Sequence, residues 1–273
     1  MTQPERKPVT GRTRTMVLAV NRAVYWFSKH WLATLNVIAA IYVGLPILAP
    51  VLMANGATRA GEVIYTIYRP MCHQKASRSL FLYGEQIAYP REIADTELRS
   101  IDDYLDELPD YADVPVENWL AFSMADSRFL GNAVMGFKMA LCARDIGIYG
   151  FVLLGGLLFG LIRWWRADVP LLPFWLFVLI GIVPIGLDGF SQLFGYLVLP
   201  LDGSAPTGLA AQIARIFPLR ESTPFLRFLT GGWFGLTAVW LLYPHIQYAM
   251  RDMEQQLGPK LARAAQQDNV KGA

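Results

Sequence analysis

The chain has 273 residues, 54% of them hydrophobic, with a mean hydropathy of +0.32 and a formal net charge of +2. A soluble domain of this length is usually less apolar, and its apolar residues are interleaved with charged ones. The small net charge gives no reason to expect a nucleic-acid partner, and the two cysteines exclude a disulfide-dense scaffold.

Four long stretches without charged residues predict four membrane spans. They cover residues 31–53, 146–162, 169–187 and 228–250. A helix rises about 1.5 Å per residue and needs at least about 17 residues to cross the hydrocarbon core, so each stretch is long enough. The predicted fold class is all-α: a polytopic membrane protein with four transmembrane helices plus interfacial helices, and with the lipid bilayer as a partner.

The basic residues predict the orientation of these spans. With both termini inside, the inner segments carry Lys and Arg at about twice the density of the two outer loops. We therefore expect a multi-pass plasma-membrane protein with both termini cytoplasmic. Its parts are a basic amphipathic segment over 1–30 that lies along the inner surface, a four-span membrane domain over 31–250, and a cytoplasmic tail over 251–273 with a helix broken near Pro259.

The first outer loop, about 55–141, contains an acidic insertion over about 85–132. Leucine and isoleucine recur at helical intervals between residues 98 and 108, which predicts a short amphipathic helix there. We interpret the remainder of the insertion as a solvated excursion, because no carboxylate spacing matches a calcium loop.

Polar residues gather where the spans meet the predicted outer face. Positions three and four apart share a helix face, so polar residues at that spacing form stripes. They are Lys138, Cys142, Asp145 and Tyr149 in the second span, Asp188 and Gln192 in the third, and Thr223, Arg227 and Thr230 in the fourth. Ionisable groups at such depth are costly unless paired or hydrated, so these junctions are a candidate site.

The two cysteines, Cys72 and Cys142, fall on the same predicted outer face, and three uses stay open. A structural disulfide suits an oxidising compartment. Two thiolates with His73 and with Asp145 or Asp188 suit tetrahedral zinc, although adjacent Cys72 and His73 cannot easily bind one ion. A reactive thiol with a lowered pKa is the third use, and His73 would then serve as a general base.

Four motifs occur in order along the chain: "CHQKASRS", "CARDIGIY", "PIGLDGFSQLFG" and "LRFLTGG". Together they resemble a family of small prokaryotic integral membrane proteins defined only as a domain of unknown function, over residues 62–240. The resemblance implies a prokaryotic plasma membrane and a shared set of polar positions. These are Cys72, His73, Gln74, Arg78, Ser79, Cys142, Arg144, Asp145, Asp188, Gln192, Arg227 and Thr230. Many members have cysteine where this chain has Asp145, and the insertion between residues 84 and 136 is long for the family.

The leading hypothesis is a membrane-embedded enzyme, metal- or thiol-assisted, that acts on a membrane-proximal substrate in an outer-leaflet pocket. The catalytic candidates are His73 for proton transfer, Asp188 as a ligand or base, and Cys72. The binding candidates are Gln74, Arg78, Ser79, Arg144, Gln192, Arg227 and Thr230, of which the arginines suit an anionic group. The candidate metal ligands are Cys72, Cys142, Asp145 and Asp188, with zinc as the candidate cofactor.

Two other functions stay open. A transporter or permeation subunit would use Asp188 and Arg227, but four spans without inverted repeats are few for one carrier, so it would require a homo-oligomer. A structural membrane subunit would be stiffened by a disulfide between Cys72 and Cys142.

Overall fold

The computed structural model describes residues 11–112, 114, 118–165, 168–198 and 204–272. Four helices within these residues are long and apolar enough to cross a membrane, which confirms the all-α polytopic fold class. The α-helices are α1 (Gly11–Ala54), α2 (Thr58–Tyr68), α3 (Trp119–Arg128), α4 (Ala143–Trp164), α5 (Phe174–Phe177), α6 (Val183–Leu197), α7 (Gly208–Ile216) and α8 (Pro224–Gly272). A π-helical turn, Val178–Ile182, joins α5 to α6, so these three elements form the third span.

The described residues between α2 and α4, numbers 69–142, form a cap at one end of the helices. The cap contains a three-stranded antiparallel sheet that the sequence analysis did not predict. Its strands are β1 (Ser79–Leu82), β2 (Gly131–Asn132) and β3 (Gly136–Cys142), in the order β1-β3-β2. Four short 3₁₀ helices accompany them, at Ala76–Arg78, Glu92–Ala94, Ile101–Glu107 and Pro109–Tyr111.

The acidic insertion is packed into the cap, so its interpretation as a largely solvated excursion was wrong. The amphipathic helix predicted there is a 3₁₀ helix of seven residues, capped by the Ser100 side chain. Ile101 and Tyr104 on its inner face join a hydrophobic core with Phe81 and Tyr89. Aromatic rings at these positions are buried against one another, which offsets the cost of ordering a charged segment.

Helices α4 and α8 lie against each other through glycines. A side-chain carbon at Gly147 would lie 2.4 Å from the carbonyl oxygen of Phe228, and one at Gly231 would lie 2.3 Å from that of Arg144. Only hydrogen fits at such distances. The same close approach places the first turns of α4 and α8 side by side beneath the cap, as small residues commonly do between membrane helices.

The ends of the described chain form a paired helical extension. Helix α1 runs without interruption through residues 11–30, so this segment is not the separate surface helix that was predicted. Helix α8 continues through Pro259, where a break was predicted, to Gly272. Arg14 lies 2.7 Å from Asp268. That contact shows the two extensions lying together at the end of the bundle opposite the cap.

The third span is shifted relative to its prediction. It covers residues 174–197 instead of 169–187, so Asp188 and Gln192 lie inside the helix and not at its exit. A search for stretches without charged residues ends a span too early when polar residues inside the helix are buried against partners. The π-helical turn and Pro184 lie just before these residues, at a place where the regular helical hydrogen-bond ladder is interrupted.

Candidate functional site

Two cysteines and a carboxylate meet where the cap joins α4. One ligand atom from each of Cys72, Cys142 and Asp145 lies within 4.8 Å of the other two. Both cysteines are free thiols. Cys142 is the last residue of β3 and precedes the first turn of α4, so Asp145 lies three residues on, and its carboxylate oxygen is 3.2 Å from the Cys142 sulfur.

Gln74 holds Cys72 against this junction. Its backbone has a φ of +51°, in the left-handed region that side-chain-bearing residues seldom adopt. Its amide nitrogen donates to the carbonyl oxygens of Tyr65, at 2.8 Å, and Ala140, at 3.1 Å. These bonds fasten the segment after α2 to β3, so this predicted binding residue is buried and fixes the position of Cys72.

The buried amine of Lys138 also holds the segment that follows α2 in place, through hydrogen bonds. Its Nζ donates to the carbonyl oxygen of Gln74 and, at 3.0 Å, to that of Ser127. Because Lys138 lies in β3, it does not share a helix face with Asp145, and the predicted polar stripe through both was wrong. Burial lowers the pKa of Lys138 to about 8.

The two thiols differ in acidity because they share a hydrogen bond. That bond to Cys142 lowers the pKa of Cys72, while the same bond and burial raise the pKa of Cys142. Cys72 is therefore the more acidic of the two thiols. A thiolate is the form of cysteine that binds metals and attacks electrophiles.

His73 lies at the rim of the cluster. It is exposed and lines the same cavity as Cys72, and it makes no hydrogen bond to another described residue. Since no neighbouring group fixes its ring, it can approach a molecule in the cavity. His73 thus lies beside the cluster, and its role in proton transfer stays a prediction.

Asp188 is engaged by two arginines and lies outside the cysteine cluster. Arg144 donates a short, charge-assisted hydrogen bond to one carboxylate oxygen, and Arg220 lies 3.4 Å from the other. The side chain of Asp188 is 4% exposed, so the ion pairs compensate for a buried charge. In this arrangement Asp188 positions Arg144, whose own side chain lines the cavity next to Cys142.

A second carboxylate, Glu221, organises the remaining arginines. Its oxygens accept from Arg78 at 2.8 Å and from the Tyr196 hydroxyl at 2.6 Å, and Arg227 lies 3.5 Å away. Burial opposes ionisation of Glu221, but Arg78 and Arg227 outweigh it and lower its pKa. Arg227 also donates to the side-chain oxygen of Gln192 at 2.5 Å, which joins α8 to α6.

Two neighbouring cavities open around these side chains. One has a volume of about 350 Å³ and is lined by the cysteine cluster and His73. The other has a volume of about 320 Å³ and is lined by residues of α3 and α6. Four cationic residues line both cavities: Lys75, Arg78, Arg144 and Arg227. The cations therefore separate the cysteine cluster from the second cavity.

The other two predicted binding residues face their own backbone. The Ser79 hydroxyl donates to the carbonyl oxygen of Lys75 at 2.8 Å, and Ser79 pairs with Cys142 across the sheet. The Thr230 hydroxyl donates to the carbonyl oxygen of Leu226 one turn earlier in α8, at 2.8 Å. Neither residue lines the two cavities.

Sequence reasoning missed Lys75, Tyr196, Arg220 and the ionic role of Glu221. Glu221 comes three residues before Pro224, where a helix cap is expected, but Thr223 accepts from the first turn of α8 instead. One signal was available in the sequence. Glu221 lies close before a predicted span that contains Arg227, and opposite charges at a span end favour a buried ion pair. Nothing in the spacing of Lys75 distinguishes it from a surface lysine.

Comparisons with known proteins match part of the chain. Residues 132–241 match the model of a family described as "Predicted membrane protein (DUF2085)", a narrower range than the predicted likeness over 62–240. An uncharacterized protein of Methanocaldococcus jannaschii is 32% identical over 111 residues. The alignment covers 41% of this chain and 55% of that protein, so the chain spans about half the length of that relative. No solved structure matches. The matched part of the chain is thus similar to predicted membrane proteins, in agreement with the four apolar helices and a multi-pass membrane location.

Proposed function

We propose that this protein is a membrane-embedded enzyme whose reactive centre is a divalent metal ion, zinc in the first instance, held by Cys72, Cys142 and Asp145. The observation that carries the proposal is the approach of three ligand atoms to within 4.8 Å of one another beside a cavity. Catalytic zinc sites use three protein ligands and leave one coordination position for substrate or water. Two thiolates and a carboxylate are a donor set that zinc accepts.

The side chains around the cluster take distinct roles in this proposal. His73 transfers a proton at the rim of the cavity, because it is exposed there and free to approach a bound molecule. Arg144, Arg78 and Arg227 hold an anionic group of the substrate, since their guanidinium groups line the cavity. A zinc ion held by the cysteines and Asp145 would supply Lewis acidity at that group. Asp188 acts through Arg144, and so it is a positioning residue and not a ligand.

The cap lies on the outer face of a prokaryotic plasma membrane in this proposal, with both termini cytoplasmic. The support is the higher density of basic residues in the segments at the opposite end of the bundle. The substrate therefore approaches the site from the outer leaflet or the space beyond it.

The test is the metal content of the full-length protein, purified in detergent and washed with a weak chelator. Elemental analysis should give about one zinc per chain for the wild type. Cys72→Ser, Cys142→Ser and Asp145→Asn should each lose most of it, because removal of a ligand leaves two. His73→Ala should keep the zinc, as should Glu97→Gln, which changes an exposed cap carboxylate. Wild-type protein without metal, or variants that all keep it, would contradict the proposal.

A structural use of the cysteines is the second candidate, because the same closeness of the sulfurs would permit a bond between them. It makes the opposite prediction for the thiols. A disulfide leaves neither cysteine open to alkylation before reduction, whereas the metal site exposes both after the metal is removed. Mass spectrometry of alkylated protein, with and without a chelator, separates the two.

A further inference from the structure

Positive charge exceeds negative charge in the wall of the second cavity. Four arginines line it, Arg78, Arg91, Arg144 and Arg227, against two carboxylates, those of Asp126 and Glu221. Among the lining groups this leaves two positive charges, before any lysine is considered. A buried or half-buried site with such an excess is stabilised by an anion.

Lys75 adds a further cation to this excess. It lines both cavities, is partly buried and forms no ion pair with another described residue. Burial and the neighbouring Arg78 both lower its pKa, to about 8. A bound anion beside it would relieve both costs.

Unused hydrogen-bond donors accompany these cations. The Nε atoms of Arg78 and Arg144 are buried and have no partner among the described residues, although both side chains line the cavities. Buried donors are nearly always paired in a native protein. Several N–H groups around one space match the multiple oxygens of a phosphate group, which guanidinium groups bind through two parallel hydrogen bonds.

The remaining wall of the second cavity is apolar and leads toward the membrane. Trp119 and Phe122 of the cap form one side, and Leu193 and Leu197 of α6 form the other. Leu193 is 48% exposed and Leu197 is 68% exposed, and both lie in a helix that crosses the membrane. A hydrocarbon chain can therefore pass from the bilayer along α6 into the cavity, with its polar end among the cations.

We infer that the second cavity binds a phosphate-bearing membrane lipid, with the phosphate among Lys75, Arg78, Arg144 and Arg227 and the hydrocarbon chain between Trp119 and α6. The lipid binding stands on the cations and the apolar wall. The same four cations line the cavity of the cysteine cluster, so the lipid is also a candidate substrate of that cluster. This last step rests on the proposed function.

The test measures lipid binding to the full-length protein in detergent by native mass spectrometry and thermophoresis. The probes are phosphatidic acid, diacylglycerol with the same chains, and inorganic phosphate. Phosphatidic acid should bind at least about tenfold more tightly than either of the others, because it alone supplies both the phosphate and the chains. Equal binding of diacylglycerol, or binding of inorganic phosphate as tight as that of the lipid, would overturn the inference.

Single variants test the cationic part and the apolar part of the lipid site separately. Lys75→Met removes a cation that has no ion-pair partner to leave behind, and it should weaken phosphatidic acid about tenfold. Trp119→Ala should weaken the lipid and leave inorganic phosphate unchanged. Arg99→Gln, which removes an exposed cation of the cap, is the control and should change neither. Lipid affinity unchanged in both Lys75→Met and Trp119→Ala would refute the site.

The Cys72→Ser, Cys142→Ser double variant separates this inference from the proposed function. It removes two of the three proposed metal ligands and leaves the four cations in place, so it should still bind phosphatidic acid. If wild-type protein holds zinc and fails to bind the lipid, the lipid site is wrong and the metal centre stands. If the lipid binds and the wild-type protein holds no metal, the lipid site stands and the metal centre is wrong.

Discussion

Replacing Glu221 by glutamine tests whether the buried ion-pair network holds the cap to the helices. The side chain of Glu221 is 4% exposed, and its carboxylate accepts from Arg78 and from Tyr196 while Arg227 lies 3.5 Å away. Breaking a buried ion pair by removing one partner costs about 3–5 kcal/mol, because the other charge stays buried without compensation. Glutamine keeps one acceptor oxygen, so we expect the lower end, about 3 kcal/mol.

Thermal unfolding in detergent, followed by tryptophan fluorescence, provides the assay. A loss of 3 kcal/mol corresponds to a fall in Tm of about 6–12 °C for a chain of this size. The matched control is Glu85→Gln, since Glu85 pairs with Arg99 at 3.8 Å and both side chains are more than half exposed. An exposed pair contributes about 0–1 kcal/mol, so the control should lose at most about 4 °C. Equal Tm values for the two variants would refute the reasoning.

Three further predictions concern single positions. Lys138→Met should destabilise the protein by about 2–4 kcal/mol in the same assay, since it leaves buried carbonyl groups unpaired, whereas exposed Lys260→Met should be neutral; equal effects would contradict this. Gly147→Ala should reduce the yield of folded protein and Gly150→Ala should not, because a side-chain carbon meets backbone at 2.4 Å at Gly147 and nothing within 4 Å at Gly150; similar yields in detergent extracts would argue against the close helix contact. Lys75 loses its charge as the pH rises through about 8, so between pH 7 and 9 the phosphatidic acid affinity of the wild type should fall relative to that of Lys75→Arg, as read by thermophoresis; identical profiles would show that Lys75 does not contact the anion.

Lys75 also contributes to the pH dependence of stability. Its folded-state pKa, about 8, lies below the ordinary value of 10.5, so the unfolded chain binds more protons between these two values. Stability contributed by this group therefore rises with pH from about 8 to about 10.5. The effect is discounted because the side chain is only partly buried.

Composition predicted the spans because the hydrocarbon core of a membrane tolerates few charged groups. A long run of apolar residues therefore has few possible structures other than a membrane-spanning helix. The same reasoning placed Asp188 at the end of a span, because a window of hydropathy cannot register that Arg144 and Arg220 compensate its charge. Cys72 and Cys142 were expected on one face, and the structure brings them together. The sheet that aligns Ser79 with Cys142 makes this possible, although β1 has only four residues and no strong pattern.

The cap shows why the rest could not be predicted. Its acidic insertion carries Ile101, Tyr104 and Tyr111 among many charges, and local sequence does not reveal which of its residues turn inward. Asp126 is buried because Ser77 and Tyr111 donate to it across long sequence distances. Such contacts depend on how the chain folds back on itself.

X-ray absorption at the zinc edge of the wild-type protein tests the central claim most directly, because it reads the ligand atoms themselves. A site built by Cys72, Cys142 and Asp145 should show two sulfur atoms at about 2.3 Å together with oxygen or nitrogen at about 2.0–2.2 Å. Any zinc that the Cys72→Ser protein retains should show at most one sulfur. A zinc shell made of oxygen and nitrogen atoms alone would contradict the account.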